Sequence, residues 1–198
     1  MTANLGLQAN AKKIGALLEY ICSQISHIQL RKLLKVVYLI DEKSVRQRAI
    51  PMTWLDYYVW KKGPVAPSIY AIKDGEFANF VTCAKDDDGK WYVSANKSNL
   101  FAIDQDMRAF SEYEMDIINS VIAYCKNKSA DELTDETHSE DSLWSKAVSQ
   151  HHISFDETGR TDYTICLNDL NDAEEKEIYA EAMDSVMMQA SLNSAANV

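Results

Sequence analysis

The chain reads as a mainly α protein: a compact helical domain with a small β-hairpin insertion. Three observations predict it. Apolar residues recur at helical spacing in most segments of the chain. Prolines and glycines number only three and six in 198 residues, while 46 % of the residues are hydrophobic, a composition of ordered rather than disordered protein. One stretch, residues 80–93, instead shows two short apolar runs around a glycine-containing turn. A chain of this length buries one sizeable core. The expected organisation is a helical domain over residues 1–170, followed by a C-terminal helix and loose tail over 171–198.

The elements follow in order. Residues 10–25 place Ile14, Leu17, Leu18, Ile21 and Ile25 on one stripe and predict an amphipathic helix. Ser26-x-x-Gln29 has the pattern of a capping box opening a second helix, with Leu30, Leu33, Leu34 and Val37 inward, that runs to about Arg48 before Pro51. From Thr53, the aromatics Trp54, Tyr57, Tyr58 and Trp60 suggest a brief helix. Lys61 and Lys62 suit its negative end, and Gly63 with Pro64 would terminate it in a left-handed cap. Pro67 fits the first turn of another short helix reaching Lys73. Phe80–Cys83 and Trp91–Val93 flank Asp86-Asp87-Asp88-Gly89 as a β-hairpin. Ser111-x-x-Glu114 and Ser129-x-x-Glu132 are capping boxes; the first heads a core helix with Ile117, Ile118, Val121, Ile122 and Cys125. Ser142–Val148 reads as one more helix and Tyr163–Leu167 as a strand. Asn171 to about Ala190 reads as the last helix, with Glu174 at its capping position and Ile178, Met183, Val186 and Met187 as apolar anchors. Ser191–Val198 is expected to be loose.

Composition narrows the function classes. No run of about 18 apolar residues suggests a membrane span, and the first residues lack the basic and apolar regions of a signal peptide, so a cytoplasmic protein is expected. Cys22, Cys83, Cys125 and Cys166 form no C-x-x-C pair and read as reduced structural thiols. The net charge of −10 is uneven: residues 1–100 hold 14 Lys/Arg against 9 Asp/Glu, and residues 101–198 hold 6 against 21. The acidic half reads as a solvated surface or as a face for a basic partner, because charge complementarity speeds encounter. Nucleic acid is not its expected ligand.

Catalytic signatures are absent. Six scattered glycines form no phosphate loop. The four histidines, His27, His138, His151 and His152, supply no paired metal-ligand motif, and the three consecutive aspartates lack the alternation of a calcium loop. No enzyme, cofactor or metal is expected. The aromatics Trp54, Tyr57, Tyr58, Trp60 and Tyr70 read as core or as a binding groove.

Three segments carry a resemblance: Lys32-Leu33-Leu34-x-x-x-Tyr38; Trp60 with Gly63-Pro64-Val65-x-Pro67-x-x-Tyr70; and Leu133-Thr134-x-x-x-His138 with Glu140, Asp141 and Trp144. In this order, over residues 10–150, they resemble the Panacea domain of SocA-like antitoxins and phage-associated proteins. Leu143 stands where the family often has a proline. The resemblance implies an antitoxin that neutralises a cognate toxin by direct protein–protein binding, or an adaptor that presents the toxin to a protease. A toxin with a basic surface would suit the acidic half. A repressor using Arg31, Lys32, Lys35, Arg46 and Arg48 is the remaining alternative, without a helix-turn-helix pattern to support it. His138 and Trp144 are expected to pack and orient a loop. The candidate partner-binding residues are Trp54, Tyr57 and Tyr58 together with Glu174, Glu177, Ile178 and Glu181 of the last helix, whose apolar anchors fit helix-in-groove recognition.

Overall fold

The computed structural model describes residues 10–96, 103 and 107–195. Helix α1 (Ala11–Gln24) opens the described chain, capped by the Asn10 side chain accepting from Lys13 N. A two-residue strand, β1 (Ile28–Gln29), leads into α2 (Leu30–Arg48). Helix α2 is the axis of the molecule. It is apolar around most of its circumference from Leu30 to Val45, and later elements pack on it from several sides.

The chain then forms a hairpin of β2 (Tyr57–Trp60) and β3 (Gly63–Val65), a short helix α3 (Pro67–Tyr70) continued as a 3-10 turn to Asp74, and a second hairpin of β4 (Val81–Lys85) and β5 (Trp91–Ala95). Helices α4 (Glu112–Lys126), α5 (Ala130–Thr137) and α6 (Leu143–Gln150) follow. The chain ends with β6 (Thr164–Ile165), a 3-10 turn (Leu167–Leu170) and α7 (Ala173–Ala195). The strands form two antiparallel sheets, ordered β1-β5-β4 and β3-β2-β6. The first packs on α1, where Gly15 has no side chain and so leaves room for the Phe80 ring.

The mainly α class, the 80–93 hairpin and two of the three capping boxes, at Ser111 and Ser129, stand as the sequence predicts. Ser111 and Ser129 each accept from the backbone of a glutamate that bonds back, Glu114 and Glu132. Glu114 also pairs with Lys13 and Arg48, each at 3.1 Å, tying α1, α2 and α4 together.

Several segments differ from the expectation. Residues 54–60 contain a strand, not a helix. Tyr57 and Val59 are buried while Tyr58 and Trp60 are half-exposed, the period of two that a sheet imposes. The segment is drawn away from helical geometry by Asp41 of α2, which accepts from Met52 N (2.8 Å), Thr53 N (2.9 Å), Thr53 Oγ1 and Tyr57 Oη (2.8 Å). Gly63 does take positive φ (+100°), but as the residue after the Lys61-Lys62 hairpin turn, paired with Trp60, rather than as a helix cap. Ser26 caps nothing at the start of α2. His27 turns the chain at φ +52°, Ile28–Gln29 pair with β5, and Gln29 precedes the helix without a side-chain cap.

Residues 163–167 shorten to the two-residue β6 before the 3-10 turn. Helix α7 extends past Ala190, so Ser191–Ala195 are helical, and residues 196–198 lie outside the described chain. Its cap is reciprocal between Asp172 and Glu175, one residue beyond the expected Glu174.

Gly63→Ala is expected to destabilise the protein. A Cβ there would meet Lys35 Nζ and lie 2.9 Å from Thr137 Oγ1, in a backbone region disfavoured for L side chains. The strain is about 1–3 kcal/mol, read as a fall of several degrees in Tm. An unchanged melting curve would contradict this account of the turn.

Candidate functional site

The three sequence segments, separate in the chain, meet at one node. On α2, Leu33 and Leu34 fill the core, Tyr38 packs edge-on against Tyr57 (ring centroids 5.2 Å apart), and Lys35 lies wholly out of solvent. The Lys35 ammonium donates to Pro64 O at 3.1 Å, directly beneath Gly63. Val65 is buried, and Pro67 occupies the first turn of α3, as its fixed φ favours. Tyr70 reaches back to Trp60 in a T-shaped contact at 5.1 Å.

The third segment closes the node. His138 ends α5 and its ring stacks on Trp144 at 3.7 Å and 11°. Trp144 Nε1 donates to Trp60 O at 2.9 Å, joining α6 to β2. His138 and Trp144 therefore hold the loop between α5 and α6 against the aromatic segment. Burial and the nearby Lys35 ammonium push the His138 imidazole down to about 4, and its Nε2 has no hydrogen-bond partner among the described residues. His151 instead stacks on Tyr163, and no group of three His, Cys, Asp or Glu converges among the described residues.

Burial decides what the other candidates can touch. Tyr57 is 2 % exposed and bonded to Asp41, so the structure removes it from the partner-binding set: it is core. Tyr58 lies half-exposed on the opposite face of β2, and Trp54 is half-covered by Tyr179 of α7, ring centroids 5.1 Å apart. Nor do the α2 cations form one basic stripe. Lys32 is largely buried and donates to Lys126 O, Lys35 is internal, Arg48 engages Glu114 and Arg46 engages Glu42. This leaves the repressor reading without a continuous basic face on that helix.

Helix α7 has two unlike faces. Tyr179, Met183, Val186 and Met187 are half-buried, with Val186 and Ala190 facing the cavity floored by Ile14, Pro51 and Met52. Ile178 does not share that side. It is 51 % exposed, as are Met188 (67 %) and Leu192 (60 %) further along the same outward side. Glu174, Glu177 and Glu181 are exposed with them, and the helix carries five carboxylates against one lysine. Placing Ile178 with Val186 and Met187 on one stripe, as the sequence suggested, merges two faces that the structure separates. Sequence reasoning also passed over Met188 and Leu192, whose i, i+4 spacing was the available signal.

The described residues form a helical scaffold with no group of three His, Cys, Asp or Glu converging among them and with a carboxylate-rich helix face carrying exposed apolar residues. Residues 33–145, more than half of the chain, match the family described as Antitoxin SocA-like, Panacea domain, and the chain belongs to that family. No curated protein and no solved structure matches the chain. No helix among the described residues is long and apolar enough to cross a membrane.

The node has a pH signature. Burial, with a smaller contribution from Arg31, pushes the Lys35 ammonium down to about 7 from an ordinary value of 10.5. Between these values the unfolded chain holds a proton that the folded chain lacks, so this residue makes stability rise with pH across that window. Lys35→Met removes that dependence. The stability difference between wild type and variant should shift in favour of wild type by about 1.4 kcal/mol per pH unit inside the window. Thermal melts of both proteins from pH 6.5 to 9.5 check it, and parallel curves would refute it.

Proposed function

We propose that this protein is an antitoxin that neutralises a cognate toxin by direct binding in the cytoplasm, acting as a binding protein rather than a catalyst. Family membership supports an antitoxin role, and the outward face of α7 supports the mode of action. Met188 and Leu192 offer apolar anchors one turn apart and Ile178 a third nearly three turns earlier on the same exposed side, apolar contacts of the kind used when a helix lies in a partner's groove. Glu174, Glu177 and Glu181 surround them, so the matching toxin surface is basic, and the charge would steer its approach. Trp54 and Tyr58 contribute at most half-exposed rings beside this helix or on β2, and are secondary contacts in this reading.

The helix lies outside the matched residues 33–145, which suits a segment that selects one toxin. As a unit distinct from the domain over 1–170, it would be removable without unfolding the remainder. The cut must follow Asn171, because the Asn171 side chain donates to Ala49 O at 2.8 Å and is 6 % exposed.

The expected result is that a chain ending at Asp172 stays folded and loses neutralisation of the toxin encoded beside it. In the full chain, Ile178→Lys with Glu181→Lys should weaken toxin binding by about tenfold or more, as expected for losing one anchor and reversing one charge, with Tm unchanged. Co-expression survival and calorimetric titration measure both. Full neutralisation by both variants would place the binding face elsewhere.

A further inference from the structure

A second surface has the opposite electrostatic character. The start of α2, the turn between β2 and β3, and the loop over residues 156–160 enclose a cleft of about 580 Å3, within the range of small-molecule sites. The loop is held at the hairpin by Lys61 N donating to Gly159 O (2.7 Å) and Thr161 Oγ1 donating to Val59 O (2.6 Å). Arg31, Lys35, Lys61, Lys62, Lys90 and Arg160 line the cleft against the single carboxylate of Glu157, in a chain of net charge −10.

Two of these cations are already engaged, Arg31 with Asp131 and Lys90 with Asp88. Among the described residues, Lys35, Lys61, Lys62 and Arg160 are in no ion pair with a carboxylate, and Lys35 has the Pro64 carbonyl as its one hydrogen-bond acceptor. Three indole or phenol rings, of Trp60, Tyr70 and Trp91, share the same walls. The Arg160 guanidinium lies 4.7 Å from the Trp60 ring centroid and 5.3 Å from that of Tyr70. A guanidinium at such distances from aromatic rings is attracted to them while its N–H groups stay available.

We propose that this cleft binds a nucleoside polyphosphate, with the base against the aromatic wall and the phosphates held by Lys61, Lys62 and Arg160. The rings supply the flat apolar surface that a base stacks on, a contact inorganic phosphate would not use. Clustered cations without carboxylate partners supply charge for more than one phosphate group. A longer nucleic acid fits less well, because Asp88, Asp131 and Glu157 stand among or beside the cations and would repel a continuing phosphate chain. This site is separate from the outward face of α7 and does not depend on the toxin-binding reading.

Titration of the full chain with ATP and GTP, followed by tryptophan fluorescence and calorimetry, tests the proposal against adenosine, inorganic pyrophosphate, a short oligothymidylate and a glutamate-rich peptide. The expected result is saturable binding of a nucleoside triphosphate about tenfold or more tighter than adenosine or pyrophosphate. Arg160→Gln and Lys62→Gln, both at exposed positions, should each weaken it about tenfold, the effect of losing one charge-assisted hydrogen bond, with Tm unchanged. Four outcomes would overturn the proposal. Pyrophosphate binding as well as the triphosphates would reduce the cleft to an anion site. Preference for the oligothymidylate or the peptide would make it a groove for a polymer. Unaltered affinity in both variants would put the nucleotide elsewhere. Absence of nucleotide binding would leave the cleft without the proposed ligand.

Discussion

Two ionisable side chains on one helix, Lys35 and Asp41, are removed from solvent altogether, and the arrangement around α2 follows from satisfying them. They lie less than two turns apart, about 9 Å along the axis. Asp41 takes four donors from residues 52–57, and Lys35 gives a hydrogen bond to the carbonyl of Pro64. The incoming and outgoing strands of one hairpin are thus tied to the same helix. Detaching the hairpin would leave several buried donors and acceptors unpaired, at about 1–3 kcal/mol for each neutral group and more for the charges. Burial accordingly pushes the Asp41 carboxyl up and the Lys35 ammonium down, the direction in which each approaches its neutral form. With the hairpin fixed, Trp60 O is in place for Trp144, and Trp144 for the stacked His138. The position after the turn can carry no side chain, because the lysine amine occupies that space.

Much of the helical framework was legible because its signals are local. A serine three residues before a glutamate fixes where α4 and α5 begin, through a bond between near neighbours in the chain. The aromatic segment was not legible in the same way. Trp54, Tyr57 and Tyr58 satisfy helical spacing, yet Tyr57, Val59 and their neighbours equally satisfy alternation. The choice is made by Asp41, more than ten residues earlier in the chain, and by pairing with Thr164 and Ile165 about a hundred residues later. Lys35 looked like one cation of a surface row because spacing alone does not reveal what covers a helix. Helix α7 misled for a related reason: it carries apolar residues on both sides, so the pattern did not say which side docks.

The charge asymmetry of the chain also changes meaning once folded. The halves read from the sequence as +5 and −15, but space divides them differently. Arg160 comes from the acidic half and joins Lys61 and Lys62 beside Trp60, while Lys13 and Arg48, from the basic half, are engaged by Glu114. What remains is a basic aromatic cleft at the hairpin and a carboxylate-rich stripe on α7. Electrostatics then favours different ligands at the two places, since each surface repels what the other attracts.

The family match bears on how these surfaces arose within one architecture. Residues 33–145 include the buried lysine and aspartate, the hairpin, Tyr70, His138 and Trp144 with the first turn of its helix. These are residues whose partners are inside the protein, and their geometry is over-determined by hydrogen bonds and stacking. The loop carrying Gly159 and Arg160, and the whole of α7, fall outside the match. They meet the scaffold through the backbone bond to Lys61, the hydroxyl bond to Val59, the Arg160 guanidinium over Trp60 and Tyr70, the Asn171 amide, the Tyr179 ring and the inner side of α7 at the cavity lined by Ile14, Pro51 and Met52. The exposed side of α7 makes none of these contacts and can change sequence with little effect on the node. The division lets one scaffold carry different outward chemistry, and in this chain that chemistry is an acidic stripe with apolar anchors and one arginine laid across the Trp60 and Tyr70 rings.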